Sequence, residues 1–224
     1  MTGFVRYGLR AIGLKAAVIA ALLSGGAARA EPVDILALGD SLTQGYGLVE
    51  QEGFVRQLHE WLTERGHDVR IVNGGVSGDT TAGGLSRVAW SLTPEIDAMI
   101  VALGGNDLLR GIPPETARSN LDGILQVAAE RDLEVLLIGM TAPGNYGQEY
   151  KQAFDAIYPA LAERYGTLYL DDFFAGLRGD DGAMPDTGRF MQPDGIHPNA
   201  EGVERVVDAI GPEVETLIGR VEDR

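Results

Sequence analysis

The chain contains no cysteine, which excludes disulfides, a thiol nucleophile and cysteine-ligated zinc. Histidine is scarce: three residues and no HExxH spacing argue against a histidine-rich metal site, and no cofactor is expected. Basic residues are outnumbered, 18 against 33 acidic, for a net charge of −15. A surface of that sign repels phosphate backbones and anionic headgroups, so nucleic-acid binding and electrostatic membrane binding are not expected. No Pro-, Ser- or charge-rich stretch divides the chain and no internal repeat is visible, which leaves one globular domain.

Arg6, Arg10 and Lys15 precede or open an apolar stretch at 16–23, which passes through small residues to Ala28-Arg29-Ala30. A basic start, a short apolar middle and an A-x-A end describe a secretory signal peptide cleaved after Ala30. The apolar run falls well short of the ~20 residues a spanning helix needs, so no stable membrane insertion is expected after cleavage. Residues 1–30 are accordingly read as signal and 31–224 as a single domain, periplasmic or secreted. The signal carries four basic residues and no acidic one, so the mature chain holds 14 against 33, a net −19. Export permits disulfides; lacking them, the domain relies on its core.

Short, nearly continuous apolar runs recur at 33–38, 69–72, 98–103, 135–138 and 168–170. Runs this short without polar alternation read as strands buried on both faces. Between them lie helical spacings: Phe54, Leu58, Trp61 and Leu62 before Gly66, then Leu85, Val88, Ala89 and Leu92 before Pro94. Pro113 and Pro114 can open a helix carrying Leu121, Ile124, Leu125 and Ala128. Tyr150, Phe154, Ile157 and Leu161 mark another, followed by Gly166. Val203, Val207, Ile210, Val214, Leu217 and Val221 line the last, with a break expected at Gly211-Pro212. Strand and helix alternate about five times, which predicts an α/β fold: a three-layer α/β/α sandwich around a parallel sheet of about five strands. Ligands of such sheets bind beyond the carboxyl ends of the strands.

Four segments at those ends carry chemistry. Gly39-Asp40-Ser41-Leu42 puts a serine at a strand-to-helix turn, where helix amides can face a developing anion; a plain helix cap has the same composition. Asn73-Gly74-Gly75-Val76-Ser77-Gly78-Asp79-Thr80 can leave the Gly78 N–H free for a substrate oxygen, or be only a turn and cap. In Gly104-Gly105-Asn106-Asp107, the Asn106 amide is a donor that needs no change of protonation, although asparagine is common in turns. In Asp194-Gly195-Ile196-His197-Pro198, a tight turn can bring Asp194 to the His197 Nδ1–H and leave Nε2 for Ser41. His59 and His67 read as solvated surface residues. Each segment is ambiguous singly; together they supply every part of an acyl-transfer site.

These four blocks resemble those of the SGNH, or GDSL, hydrolases, and the resemblance runs from about Val33 to the C-terminus. Ser77-Gly78-Asp79-Thr80, the stretch from Gly104 to Gly111, and Asn145-Tyr146-Gly147 are most similar to the bacterial arylesterase, acyl-CoA thioesterase and lysophospholipase branch. The resemblance implies a flavodoxin-like sheet, Ser41 as nucleophile, and an Asp194–His197 pair completing the triad. It implies an oxyanion hole of the Ser41 and Gly78 N–H groups with the Asn106 side chain. A conventional α/β-hydrolase needs GxSxG, which the chain lacks.

The activity implied is hydrolysis of a small ester, thioester or lysophospholipid through an acyl-serine. Leu108, Leu109, Ile112, Pro143 and Tyr146 follow strand ends and are the candidate acyl-binding residues. Gly111-Ile112-Pro113-Pro114 has the composition of a movable flap. Ala142 is smaller than the apolar residue expected of long-chain-preferring relatives, so no long-chain preference is implied. The scaffold also admits a carbohydrate or peptidoglycan O-deacetylase, or a non-catalytic periplasmic binding protein. The sequence leaves the oligomeric state open, with a monomer as the default.

Overall fold

The computed structural model describes residues 1–3, 31–179 and 187–224. The stretch read as a signal peptide therefore lies, from residue 4 to residue 30, outside the described residues. Contacts separate Met1–Glu31 from Pro32–Arg224, and the fold below is that of the second unit.

Five strands, β1 (Val33–Gly39), β2 (Val69–Gly75), β3 (Ala98–Ala102), β4 (Glu134–Ile138) and β5 (Leu168–Leu170), form one parallel sheet in the order β2-β1-β3-β4-β5. The described helices are α1 (Ser41–Gln44), α2 (Phe54–Glu64), α3 (Thr81–Ser91), α4 (Gly105–Leu109), α5 (Pro114–Ala129), α6 (Gln148–Asp155), α7 (Ile157–Tyr165), α8 (Thr187–Phe190) and α9 (Ala200–Glu222). Helix α2 packs on α9, and α3 on α5, which also meets α6 and α7. This is the α/β/α sandwich expected from the alternation of runs. None of the described helices is long and apolar enough to cross a membrane.

Every residue of β1 and β3 is buried, as continuous apolar runs require of central strands. The edge strands differ from the expectation of burial on both faces. In β2 only Val69 is buried, and all of β5 is half-buried, because an edge strand has a neighbour on one side only. Burial on the helices follows the expected stripes, with one exchange in α3: Ala89 is exposed, while Gly84 sits on the buried face. A Cβ at Gly84 would meet Leu103 Cδ1 at 2.3 Å, so the position is small because the core is full there.

Two helix boundaries depart from the sequence reading. The single helix expected to carry Tyr150, Phe154, Ile157 and Leu161 is two, joined at Ala156, with Gly166 closing the second in the left-handed conformation at φ 67°. The break expected at Gly211-Pro212 does not occur; α9 runs unbroken with Pro212 inside it. An interior proline costs a helix roughly 3 kcal/mol. The buried stripe Ile210, Val214, Leu217 and Ile218 continues past it, and burying such side chains offsets that cost. Gly211 lies against Trp61, whose Nε1–H donates to Asp208 Oδ1 at 3.0 Å, so α2 holds the helix in the turn that leads into the proline.

The register sets the level of the functional loops. Gly39 pairs with both Gly75 and Ala102, so β1, β2 and β3 end together and the segments after them start at one edge. Between β1 and β3 the connections leave for opposite faces, the crevice in which such sheets bind ligands. At this edge α1 rests on the end of β2 backbone to backbone: a Cβ on Gly75 would stand 2.3 Å from Gln44 N and 2.7 Å from Gln44 Cα. Gly75→Ala is therefore expected to destabilise the fold by roughly 1–3 kcal/mol, the usual cost of overpacking, measured by urea unfolding. An unchanged unfolding midpoint would show that α1 has slack here.

Candidate active site

Ser41 is the first residue of α1, and Asp40 is its N-cap, with Oδ1 accepting from Leu42 N–H at 3.0 Å. The helix lasts one turn before Gly45 stops it in the left-handed conformation at φ 86°. A turn this short holds the serine at the sheet edge with its hydroxyl outward.

Ser41 Oγ lies 2.8 Å from His197 Nε2, and His197 Nδ1 lies 2.6 Å from Asp194 Oδ2. A carboxylate only accepts, so Nδ1 carries the proton and Nε2 is left to accept from the serine hydroxyl. The pair is made locally: Asp194 Oδ1 accepts from Ile196 N–H at 2.9 Å and His197 N–H at 3.0 Å, while Gly195 turns the chain at φ 67°. The His197 ring N–H, then the two backbone N–H groups, hold the Asp194 carboxyl down at about 2.

Residues that the sequence reading did not single out carry the histidine loop. Gln192 N–H donates to His197 O at 2.7 Å, and Gln192 Nε2 donates to Pro198 O and to Tyr46 O at 3.0 and 2.8 Å. That last bond ties the histidine loop to the loop after α1. The Tyr46 ring lies over His197, with ring centroids 4.6 Å apart. Nothing near Tyr46 or Gln192 in the chain marks them, since the partners are 146 residues apart.

Gly78 adopts φ 84°, and its carbonyl accepts from Arg110 Nη2 at 2.9 Å. Its loop is pinned by Val76 N–H to Gly39 O at 3.1 Å, by Ser77 N–H to Gln44 Oε1 at 3.1 Å, and by the Arg87–Asp79 ion pair at 2.7 Å. Asn106, in the first turn of α4, donates from Nδ2 to Asp40 Oδ2 at 3.2 Å. Asp107 is fully buried and accepts from Thr81 N–H at 2.8 Å and Thr81 Oγ–H at 2.6 Å, joining the start of α4 to that of α3. Burial raises its carboxyl despite those bonds.

Ser41, Gly78, Asn106 and His197 line one cleft of about 760 Å³. Of the candidate acyl-binding residues, Leu108, Leu109, Pro143 and Tyr146 line it too. Ile112 does not; its N–H is bonded to Asp107 O at 3.0 Å and its carbonyl to Tyr150 O–H at 2.8 Å. Those bonds anchor the segment that reads as a flap. Met140, Ala142 and Ile196 extend the apolar wall, and Ile196 was legible only as a neighbour of His197. The other histidines lie apart from the cleft but are not simply solvated: His67 bonds Glu215 at 3.0 Å, and the His59 Nδ1 is buried.

Residues 37–205 match the GDSL-like Lipase/Acylhydrolase family. The chain belongs to that family. It is 38% identical over 185 residues to "Esterase TesA" of Pseudomonas aeruginosa, covering 82% of this chain and 89% of that protein. It is 34% identical over 186 residues to "Thioesterase 1/protease 1/lysophospholipase L1" of Escherichia coli, covering 82% and 84%. The crystal structure of AlinE4, an SGNH-hydrolase family esterase, superposes with a TM-score of 0.68 at 44% identity, over 83% of this chain and 96% of that one. The activity of the family member described here is carboxylic ester hydrolysis of the serine type, and its substrates are small-molecule esters.

Asp40 supplies a pH test of the site. Burial pushes its carboxyl up to about 6 from an ordinary 3.8, against the lowering effect of the bonds from Leu42 and Asn106 and the charge of His197, while Asp107 adds to the rise. Between those values the folded chain keeps a proton that the unfolded chain has released. The unfolding free energy contributed by this group therefore falls as pH rises through that window, then levels off. The stability of the wild type minus that of Asp40→Asn should fall between about pH 4 and about pH 6, followed by urea unfolding. A difference independent of pH would contradict the burial argument.

Proposed function

We propose that Ser41 is the nucleophile of this ester hydrolase, with His197 its general base and Asp194 the group that orients the base. The observation that carries the reading is the unbroken hydrogen-bonded line Asp194–His197–Ser41 at 2.6 and 2.8 Å. His197 Nε2 takes the hydroxyl proton as Ser41 Oγ bonds to the ester carbonyl carbon. The carbonyl oxygen gathers charge against the N–H groups of Ser41 and Gly78 and the Nδ2–H of Asn106. As the intermediate collapses, the imidazolium returns its proton to the leaving alcohol. Water, deprotonated by the same ring, then frees the acid from the acyl-serine.

The apolar wall made by Leu108, Leu109, Pro143 and Tyr146 is the side on which the acyl group lies. A wall of that kind favours acyl esters over acetylated glycans, whose hydroxyls would lose water there without partners. Within the ester class, lysophospholipids and thioesters share the carbonyl that the site acts on. Residues 1–30 serve as a cleaved export signal ahead of a single 31–224 domain in the periplasm or medium. The basic start, the short apolar run and Ala28-Arg29-Ala30 support that reading.

Ser41→Ala is expected to lose both p-nitrophenyl acetate hydrolysis and covalent labelling by a fluorophosphonate, and retained labelling would remove the nucleophile assignment. Asn106→Ala is expected to stay folded and lose roughly a hundred- to a thousandfold in kcat, the usual effect of deleting one oxyanion donor. N-terminal sequencing of the exported protein should begin at Glu31, and an intact Met1 on the mature chain would overturn the signal reading.

A further inference from the structure

We propose that Asp40 is a positioning residue that sets which way the Asn106 amide faces, so that an N–H rather than the carbonyl oxygen is presented to the substrate. The proposal rests on the reading of Asn106 as an oxyanion donor and goes beyond it by naming what orients that donor.

Asp40 is 2% exposed, and its two carboxyl oxygens face different partners. Oδ1 takes the Leu42 N–H at the head of α1, and Oδ2 takes an Asn106 Nδ2–H from α4. A carboxylate offers acceptors only, so the edge of the Asn106 amide that faces it has to be the NH₂ edge. Turned by half a revolution, the amide would set its own oxygen against Oδ2, two acceptors together and out of water. An NH₂ group has two donors; with one held by Asp40, the other remains for a substrate oxygen. Gly105 keeps the approach open, since a Cβ there would stand only 3.3 Å from Asp40 Oδ2.

The alternative at this position shows what the second acceptor is for. Asparagine at 40 would have one oxygen, needed by Leu42 N–H, and its NH₂ would face Asn106. The Asn106 amide would then turn over to bond that group, and an oxygen would occupy the place of the donor. The nearest isostere of the side chain is thus expected to invert the amide without disturbing its packing.

The test is a double-mutant cycle on the full chain, with Asp40→Asn, Asn106→Ala and the two combined, reading kcat and KM on p-nitrophenyl acetate. Each single variant is expected to lose roughly a hundred- to a thousandfold in kcat, with KM held to about twofold, and the double variant to be no slower than Asn106→Ala. Losses that add across the cycle overturn the proposal, as does wild-type kcat in Asp40→Asn. Wild-type kcat in Asn106→Ala would remove the oxyanion reading, and the proposal with it, and is visible separately from an additive cycle. If Asp40→Asn does not fold, Asp40→Ser takes its place: the hydroxyl still caps α1 but is too short to hold Asn106, and the same non-additivity is expected. Failure of both variants to fold would assign Asp40 to the turn alone and overturn the proposal.

Discussion

The ends of β1, β2 and β3 finish level, with Gly39 opposite both Gly75 and Ala102, and the polar groups after these strands hang from that shared edge. Because the strands are parallel, their carboxyl ends all point one way; because the connections around β1 and β3 diverge, a crevice opens between them. Ser41, Gly78 and Asn106 follow the three strands in turn and line the same cleft. Close backbone packing of α1 on Gly75 leaves no spare room at that edge, which suits the acyl-transfer role proposed for the groups held there.

Three aspartates near the edge sit in three environments, and the contrast follows from water and partners. Asp194 is partly exposed and receives three N–H groups around one turn, so its charge is held easily and its carboxyl stays near about 2. Asp40 is buried with two donors, and burial prevails, moving it to about 6. Asp107 is buried too, and its bonds to Thr81 tie two loops together. Two buried carboxyls beside a cleft cost stability. The return is orientation: each holds a donor or a helix start that apolar packing would leave free to rotate.

Much of the fold was legible because buried parallel strands and amphipathic helices leave short-range patterns. The errors came where tertiary packing outweighed a local rule. Pro212 should have ended α9, but the buried stripe continues beyond it. Gly84, invisible to an apolar count, occupies the buried face of α3 because Leu103 fills the space its side chain would need. Ile112 follows a strand end like its neighbours, yet its backbone is bonded away from the cleft wall.

The sequence by itself determined the alternation of strand and helix, the chemistry of the four blocks and the Asp194–His197 pair, whose members are three residues apart and meet through one turn. Tertiary structure alone decided the strand order, the cover of Tyr46 over His197, the Gln192 strap and the grip of Asp40 on Asn106 across 66 residues. Backbone periodicity and turn geometry act over a few residues and leave their mark in the chain. A contact between distant residues depends on how whole layers pack, and no short stretch of sequence encodes that.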